Sequence, residues 1–209
     1  MCVAAALGSS NNFSQIASFT HGVYQIDLEK LKKGKFIPLH KDEIKDMEFG
    51  SGYLLTGSAD KSLKLVDTSI NRINSTYVCE SPIWSVTWNR GKHRVYAGTN
   101  KGEVICSKFN FRILKNYIKI HEFDTRVNNK DPVRVLKCPK RMPIHSLYFK
   151  NNGLLVGQYK DVHYMGLEDA QPTNVVLECS GNSRCMSMHI HNDHLLVTFR
   201  FKWVFDWIF

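Results

Sequence analysis

The chain has 209 residues, 43% of them apolar and 11% aromatic, enough to bury a core in one domain or two small ones and too apolar to stay disordered. No apolar run approaches the ~18 residues a membrane-spanning helix needs, and Cys2 to Leu7 is too short and too weakly charged for a secretory signal. An intracellular chain with no membrane partner is expected, and its formal charge of +9 suits acidic partners, whether nucleic acid or acidic protein segments.

The cysteines agree with that compartment. Cys2, Cys79, Cys106, Cys138, Cys179 and Cys185 form no C-x-x-C pair, so they read as small apolar fillers or free thiols.

In chain order, Val23 to Asp27 reads as a strand and Lys35 to Leu39 as the outer strand of the same sheet. Asp27 to Lys33 between them is the one place suited to a helical turn. Ile44 to Phe49 then opens a repeat, followed by Leu54-Leu55-Thr56-Gly57-Ser58-Ala59-Asp60-Lys61-Ser62-Leu63-Lys64-Leu65-Val66-Asp67. The pattern is an apolar run, a small residue, a polar turn and a second strand. It returns at Val95-Tyr96-Ala97-Gly98-Thr99 and at Leu154-Leu155-Val156-Gly157-Gln158. The segments opening successive repeats start at Ile44, Ile83, Ile144 and Cys185, in steps of 39, 61 and 41 residues. Pro82 and Pro143 favour an extended entry into two of them. Asn100-Lys101-Gly102 and Asn151-Asn152-Gly153 supply residues that tolerate positive φ in tight hairpins.

A strand repeat of about 40 residues marks a β-propeller blade. The fold expected over 1–209 is therefore all-β, an incomplete propeller with about three full blades and partial blades at each end. Closed rings use about 4–8 blades, so a fragment, or partial blades pairing across chains, is expected, with exposed sheet edges and poor solution behaviour. The long middle step coincides with 108–141, where ten Lys/Arg face only Glu122, Asp124 and Asp131. That stretch reads as a basic insertion in one connection, either a solvated loop or a nucleic-acid contact.

No G-x-S-x-G elbow, P-loop or dinucleotide fingerprint is present, and no catalytic residue is assigned. His189, His191 and His194, with Asp193, could hold a metal from one strand end; water-exposed imidazoles are the simpler reading, so no metal site is assigned. Trp84 and Trp88 could stack bases, but blade packing claims such residues first. The connections before each innermost strand and the turns between second and third strands offer a partner-binding rim, with candidates Asp42, Glu80, Lys101, Arg141 and Lys160.

Residues 40–67 resemble a WD40 repeat. His40 stands at its leading histidine, Thr56 or Ser58 at the strand hydroxyl, and Asp60 at the turn carboxylate. Val66-Asp67 takes the Trp-Asp position. The resemblance implies a hydrogen-bonded blade lock through His40, Ser58 and Asp60, one link short because Val66 replaces the tryptophan. Lys101 and Lys160 replace the aspartate elsewhere, so the other blades are expected to rely on packing alone.

A narrower resemblance rests on several strings in order. They are Leu54 to Lys64, Ser81-Pro82-Ile83-Trp84-Ser85, Val95-Tyr96-Ala97-Gly98, Pro143-Ile144-His145-Ser146-Leu147-Tyr148 and Leu195-Leu196-Val197-Thr198-Phe199-Arg200. These look like the propeller of the RING finger and WD repeat domain-containing E3 ubiquitin ligases. That resemblance implies recruitment of substrates or partners, replication protein A among them, for ubiquitination in the DNA damage response. Stalled forks, interstrand cross-link repair and the nucleus, with the cytoplasm as a second compartment, go with it. Catalysis in that family belongs to a RING, whose eight zinc-binding Cys/His ligands have no counterpart here, so no cofactor is expected in this chain. Whether the chain takes part in an enzyme stays open at this point. A WD40 scaffold without a ubiquitin link and a basic nucleic-acid-binding module are the alternatives. The segment 201–209 departs from the family pattern, reading either as a sequence artefact or as a strand of the last blade.

Overall fold

The structure, a computed structural model, describes residues 2–7, 13–18, 21–27, 30, 32–89, 91, 93–103, 117–126, 132–138, 142–167, 172–178, 185–191, 194–199 and 202–204. Among them no helix occurs, and the strands form five sheets in chain order. The first is β1 (Cys2–Leu7), β2 (Phe13–Ser18), β3 (Gly22–Asp27) and β4 (Lys32–Pro38). The second is β5 (Ile44–Gly50), β6 (Tyr53–Ser58), β7 (Ser62–Asp67) and β8 (Arg72–Val78). The third is β9 (Ile83–Asn89), β10 (Arg94–Glu103), β11 (Tyr117–Asp124) and β12 (Arg134–Lys137). The fourth is β13 (Ser146–Lys150), β14 (Gly153–Gly157), β15 (Asp161–Gly166) and β16 (Pro172–Glu178). The fifth has three strands, β17 (Cys185–His191), β18 (His194–Phe199) and β19 (Lys202–Val204). Four-stranded sheets joined through short turns are propeller blades, as the repeat predicts.

Four local expectations change. The N-terminal blade is fuller than its sequence suggested, because Cys2–Leu7 and Phe13–Ser18 pair into it ahead of β3. The segment read as a helical turn instead enters a hairpin, with Lys32 and Lys33 opposite Asp27 and Ile26. Asn100-Lys101-Gly102 is not a turn; β10 runs through it to Glu103, since the long connection to β11 removes the need for a tight hairpin there. The basic stretch 108–141 is not one insertion loop, because β11 and β12 lie inside it. By contrast, Asn151 and Asn152 do turn with φ of 49° and 58° between paired Lys150 and Gly153, the two-residue hairpin that favours asparagine. In the tail, Lys202–Val204 pairs with β18, while 205–209 lie outside the described residues.

The chain forms two compact units, 1–97 with 121–134 and 98–120 with 135–209. Within the first, one apolar cluster joins Val23, Ile37, Leu39, Ile44, Met47, Leu54 and Val66 between the first and second sheets. A second cluster places Leu55, Leu63, Leu65, Tyr77, Ile83, Val86, Trp88 and Phe123 on the other face of the second sheet. Neighbours in sequence thus face opposite cores: Leu54 and Val66 on one side, Leu55 and Leu65 on the other. This is why the repeat shows paired apolar residues instead of strict alternation, since an inner strand buried on both faces has no solvent side. Each such side chain contributes roughly 1.5–3 kcal/mol of burial. In the second unit, Leu155, Val162, Leu177, Cys185, Met188, Leu195 and Val197 form the equivalent core between the fourth and fifth sheets.

The small residue of the repeat has a packing reason. A Cβ added to Gly57 would lie 2.6 Å from Val86 Cγ1 and 2.7 Å from Ile83 Cγ2, both on the next blade's first strand. At Gly157 it would meet Cys185 Sγ at 2.5 Å, in the same blade-to-blade relation.

Candidate partner-binding face

The β6–β7 turn and the connection from β4 to β5 are tied together around one carboxylate. Asp60 accepts the Lys41 N–H at 2.9 Å, the Ser62 N–H at 2.8 Å and the Ser62 hydroxyl at 2.6 Å. His40 is 5% exposed, with Nδ1 3.1 Å from Asp60 Oδ2 and 2.9 Å from Ser62 Oγ. A carboxylate only accepts, so Nδ1 carries the proton and donates to Asp60. Nε2 then accepts from the Thr56 hydroxyl at 2.8 Å. Burial lowers the His40 pKa to about 4, outweighing the nearby Asp60 charge, so the imidazole is neutral near pH 7. Burial alone would raise Asp60, but the Ser62 and Lys41 hydrogen bonds prevail and hold it at about 2.

Thr56 therefore supplies the hydroxyl that meets His40. Ser58 serves the turn itself, donating to the Asp42 carbonyl at 3.1 Å and accepting the Asp60 N–H at 3.1 Å. Ser62 was missed, although Asp60-Lys61-Ser62 has the spacing at which an Asp side chain bonds the backbone two residues on. Val66, at the tryptophan position, is 1% exposed within the first apolar cluster. Lys64 completes the clamp by donating to the Leu39 carbonyl.

This clamp sets the rim of the first unit. Asp42 is exposed, with its Oδ1 accepting the Glu43 N–H at 2.7 Å, and the Ala59 N–H donates to the Glu43 carbonyl at 2.9 Å, so the connection before β5 is held to the β6–β7 turn. Glu80 is also exposed, and the adjoining Cys79 N–H donates to the Lys61 carbonyl at 2.8 Å, which brings it to the β6–β7 turn. Nearby, Lys45 pairs with Glu43 and lies 5.7 Å from the centre of the half-buried Trp84 ring, a cation–π contact. Trp88, by contrast, is core, edge-on to Tyr53 at 6.3 Å.

In the second unit the Gln158 Nε2 donates to the Met142 carbonyl at 2.7 Å, and the His145 N–H donates to the Gly157 carbonyl at 3.0 Å. This blade does not rely on packing alone. An amide in the β14–β15 turn holds the connection before β13, much as Asp60 holds Lys41 before β5. Lys160, half-buried, belongs to that turn. Lys101 lies in β10 with its side chain outside the described residues, as Arg141 does entirely.

Two arginines of the basic stretch are engaged. Arg126 makes a paired contact with Asp124 at 3.0 and 2.8 Å, and Arg134 Nε donates to Glu122 at 2.8 Å. Arg94 joins them, 3.2 Å from Asp124. The buried thiols of Cys79, Cys138 and Cys185 are free, and burial pushes each up to about 12, so they are inert fillers near neutral pH. No group of three potential ligands is poised for a metal among the described residues; His189 and His194 are exposed, and Asp193 lies outside them.

The family described as the E3 ubiquitin-protein ligase RFWD3 WD40 domain matches residues 3–203. The E3 ubiquitin-protein ligase RFWD3 of Homo sapiens is 27% identical over 198 residues, covering 86% of this chain and 23% of that protein. Its namesake in Mus musculus is 30% identical over 102 residues, covering 47% of this chain and 13% of that protein. The protein of the same name in Ailuropoda melanoleuca is 30% identical over 89 residues, or 40% and 11% respectively. The chain thus spans under a quarter of the length of the curated relatives it matches.

Proposed function

The chain belongs to the E3 ubiquitin-protein ligase RFWD3 WD40 domain family, and from that membership we propose that it is the partner-recruiting propeller of a ubiquitin ligase acting in the nucleus on damaged or stalled replication forks. The match over 3–203 carries this reading. The rim chemistry supports it: Asp42 and Glu80 are exposed beside the exposed Lys41 and Lys61, on turns fixed from below by Asp60. A rigid scaffold that presents charged loops suits selection of a protein surface, because little loop ordering is lost on binding. Transfer of ubiquitin is assigned to a RING elsewhere in the ligase, with this chain placing the substrate.

Replication protein A is the partner to test. The chain should retain purified replication protein A on an affinity resin, and a double charge reversal of Asp42 and Glu80 should release it. Retention that is absent, or indifferent to the reversal, overturns the proposal. Nucleic-acid contact through 108–141 is the weaker reading, since Arg126 and Arg134 already face carboxylates.

A further inference from the structure

In the β13–β14 hairpin two separate structural demands meet at one peptide bond. The loop has two residues, Asn151 and Asn152, with φ of 49° and 58°, and Gly153 pairs directly with Lys150. Left-handed backbone favours asparagine at both loop positions. Glycine at 153 has a different cause: an added Cβ would run into Tyr164 Cζ and the Tyr164 hydroxyl oxygen. Packing against Tyr164 therefore places Asn152-Gly153, the one Asn-Gly step in the sequence, at a turn whose asparagines are both exposed. An asparagine before glycine is chemically labile, because no Cβ shields the following amide nitrogen. Two hydrogen bonds oppose that reactivity. The Tyr164 hydroxyl donates to the Asn151 carbonyl at 2.8 Å, and the Leu167 N–H donates to the Asn152 carbonyl at 3.1 Å.

We propose that Asn152 is a site of spontaneous deamidation, gated by the Tyr164 and Leu167 clamp. The Gly153 amide nitrogen attacks Asn152 Cγ; the N–Cγ bond forms, the Cγ–Nδ2 bond breaks, and ammonia leaves with the proton from the Gly153 nitrogen. Water then opens the succinimide. Cleavage of the N–Cγ bond gives aspartate, and cleavage of the bond to the main-chain carbonyl carbon gives isoaspartate. Either product adds a negative charge two residues from Lys150. Isoaspartate also lengthens the backbone by one methylene, in a loop with only two residues to join paired strands, and so disturbs the Lys150–Gly153 register. Attack requires the Gly153 nitrogen to swing out of the hairpin, so the rate follows how often the loop opens. The site lies in this hairpin alone and does not depend on the ligase reading.

The test holds the intact chain in mildly alkaline buffer at body temperature, digests it with trypsin, and follows peptide 151–160 by mass spectrometry. Isoaspartate is counted by its methylation with a purified isoaspartyl methyltransferase, and Asn152→Asp provides the aspartyl standard. Conversion at Asn152, mainly to isoaspartate, is expected, slower than in a free peptide of residues 146–157. Tyr164→Phe keeps the ring beside Gly153 and removes only the hydroxyl. It should speed conversion about fivefold, the population change that goes with one ordinary hydrogen bond. Asn74-Ser75 in the first unit is the internal control, and its conversion should be the same in both proteins. An intact Asn152 in the native chain, a rate in Tyr164→Phe no faster than in the wild type, or acceleration at Asn74 matching that at Asn152 would overturn the proposal.

Discussion

The Asp46 carboxylate on β5 accepts the Val86 N–H of β9 at 2.9 Å, carrying a side chain of one blade onto the open edge of the next. Glu48 does the same for the Trp88 N–H at 3.1 Å, and in the second unit Ser146 accepts the Met188 N–H at 3.1 Å. The first strand of a blade has an unpaired backbone edge, and these polar side chains satisfy it in place of another strand. Burial raises the Asp46 pKa to about 7; the Val86 and Met47 hydrogen bonds oppose that rise and the Glu48 charge assists it. Between its ordinary value of 3.8 and about 7, the folded chain holds a proton that the unfolded chain has lost. Stability from this group therefore grows as pH falls through 7 and is lost above it. Asp46→Asn should gain on the wild type by roughly 2 kcal/mol as pH rises from about 5 to about 8. Urea unfolding of both proteins across that range checks it; a pH-independent difference would remove the argument.

His40 acts with the opposite sign. Its folded pKa of about 4 lies below the ordinary 6.5, so between those values the unfolded chain binds a proton that the folded chain refuses. Its contribution is complete above about pH 6.5 and is lost as pH falls toward 4, up to ~3 kcal/mol. Asp60, held at about 2, extends that loss below its ordinary 3.8. In an Asp46→Asn background, stability should decline monotonically with acid, and His40→Gln should flatten the decline. A persistent slope in the double variant would assign it to other groups.

Val66 offers a test of the missing link in the blade lock. Because Val66 is enclosed by Val23, Leu39, Ile44 and Leu54, a tryptophan there has no room to complete the chain from Thr56. Val66→Trp is expected to lower stability by about 1–3 kcal/mol, the usual cost of overpacking. A rise in melting temperature would show that the hydrogen-bonded link outweighs the strain.

Much of this architecture could be read before any coordinates. The repeat showed where the inner strands begin because Ile44 and Ile83 head apolar segments, and the resemblance of residues 40–67 to a WD40 repeat marked the clamp at His40 and Asp60. What escaped was set by partners distant in sequence. Nothing local distinguishes Thr56 from Ser58 as the hydroxyl facing His40; both lie on one face of β6, and only position along the strand puts Thr56 at the imidazole and Ser58 at the turn. Asn100-Lys101-Gly102 has good turn chemistry yet lies in a strand, because pairing along β10 overrides local preference. The acceptors at Asp46 and Ser146 were invisible, since their donors lie 40 and 42 residues away on another blade.

Gly57 and Gly157 should tolerate no side chain. Alanine at 57 would press on Val86 and Ile83, and at 157 on Cys185, in blade contacts with buried neighbours on both sides. Either change is expected to cost about 1–3 kcal/mol. Gly91 supplies the contrast, since its nearest neighbour to an added Cβ is Asn89 Oδ1 at 3.7 Å. Gly91→Ala should stay within ~0.5 kcal/mol of the wild type. Parallel thermal melts decide it, and equal losses at 57 and 91 would refute the packing explanation.

Gln158 is fully buried, and its Nε2 reaches the Met142 carbonyl across the connection that leads into β13. Its backbone is engaged as well, with the N–H donating to Asp161 at 2.9 Å. Gln158→Leu keeps similar bulk but leaves the Met142 carbonyl without this donor, at a cost of about 1–3 kcal/mol. Gln158→Glu should be worse, because an ionised carboxylate would face that carbonyl in a buried site. Protonation of the new glutamate should then recover part of the loss at low pH, a recovery Gln158→Leu cannot show. Hydrogen exchange adds a local readout: if the side chain is the tether, the amides of Ile144 and His145 should lose protection in both variants while those of β17 and β18 keep theirs. Unchanged protection at 144 and 145 would mean that packing alone holds this blade.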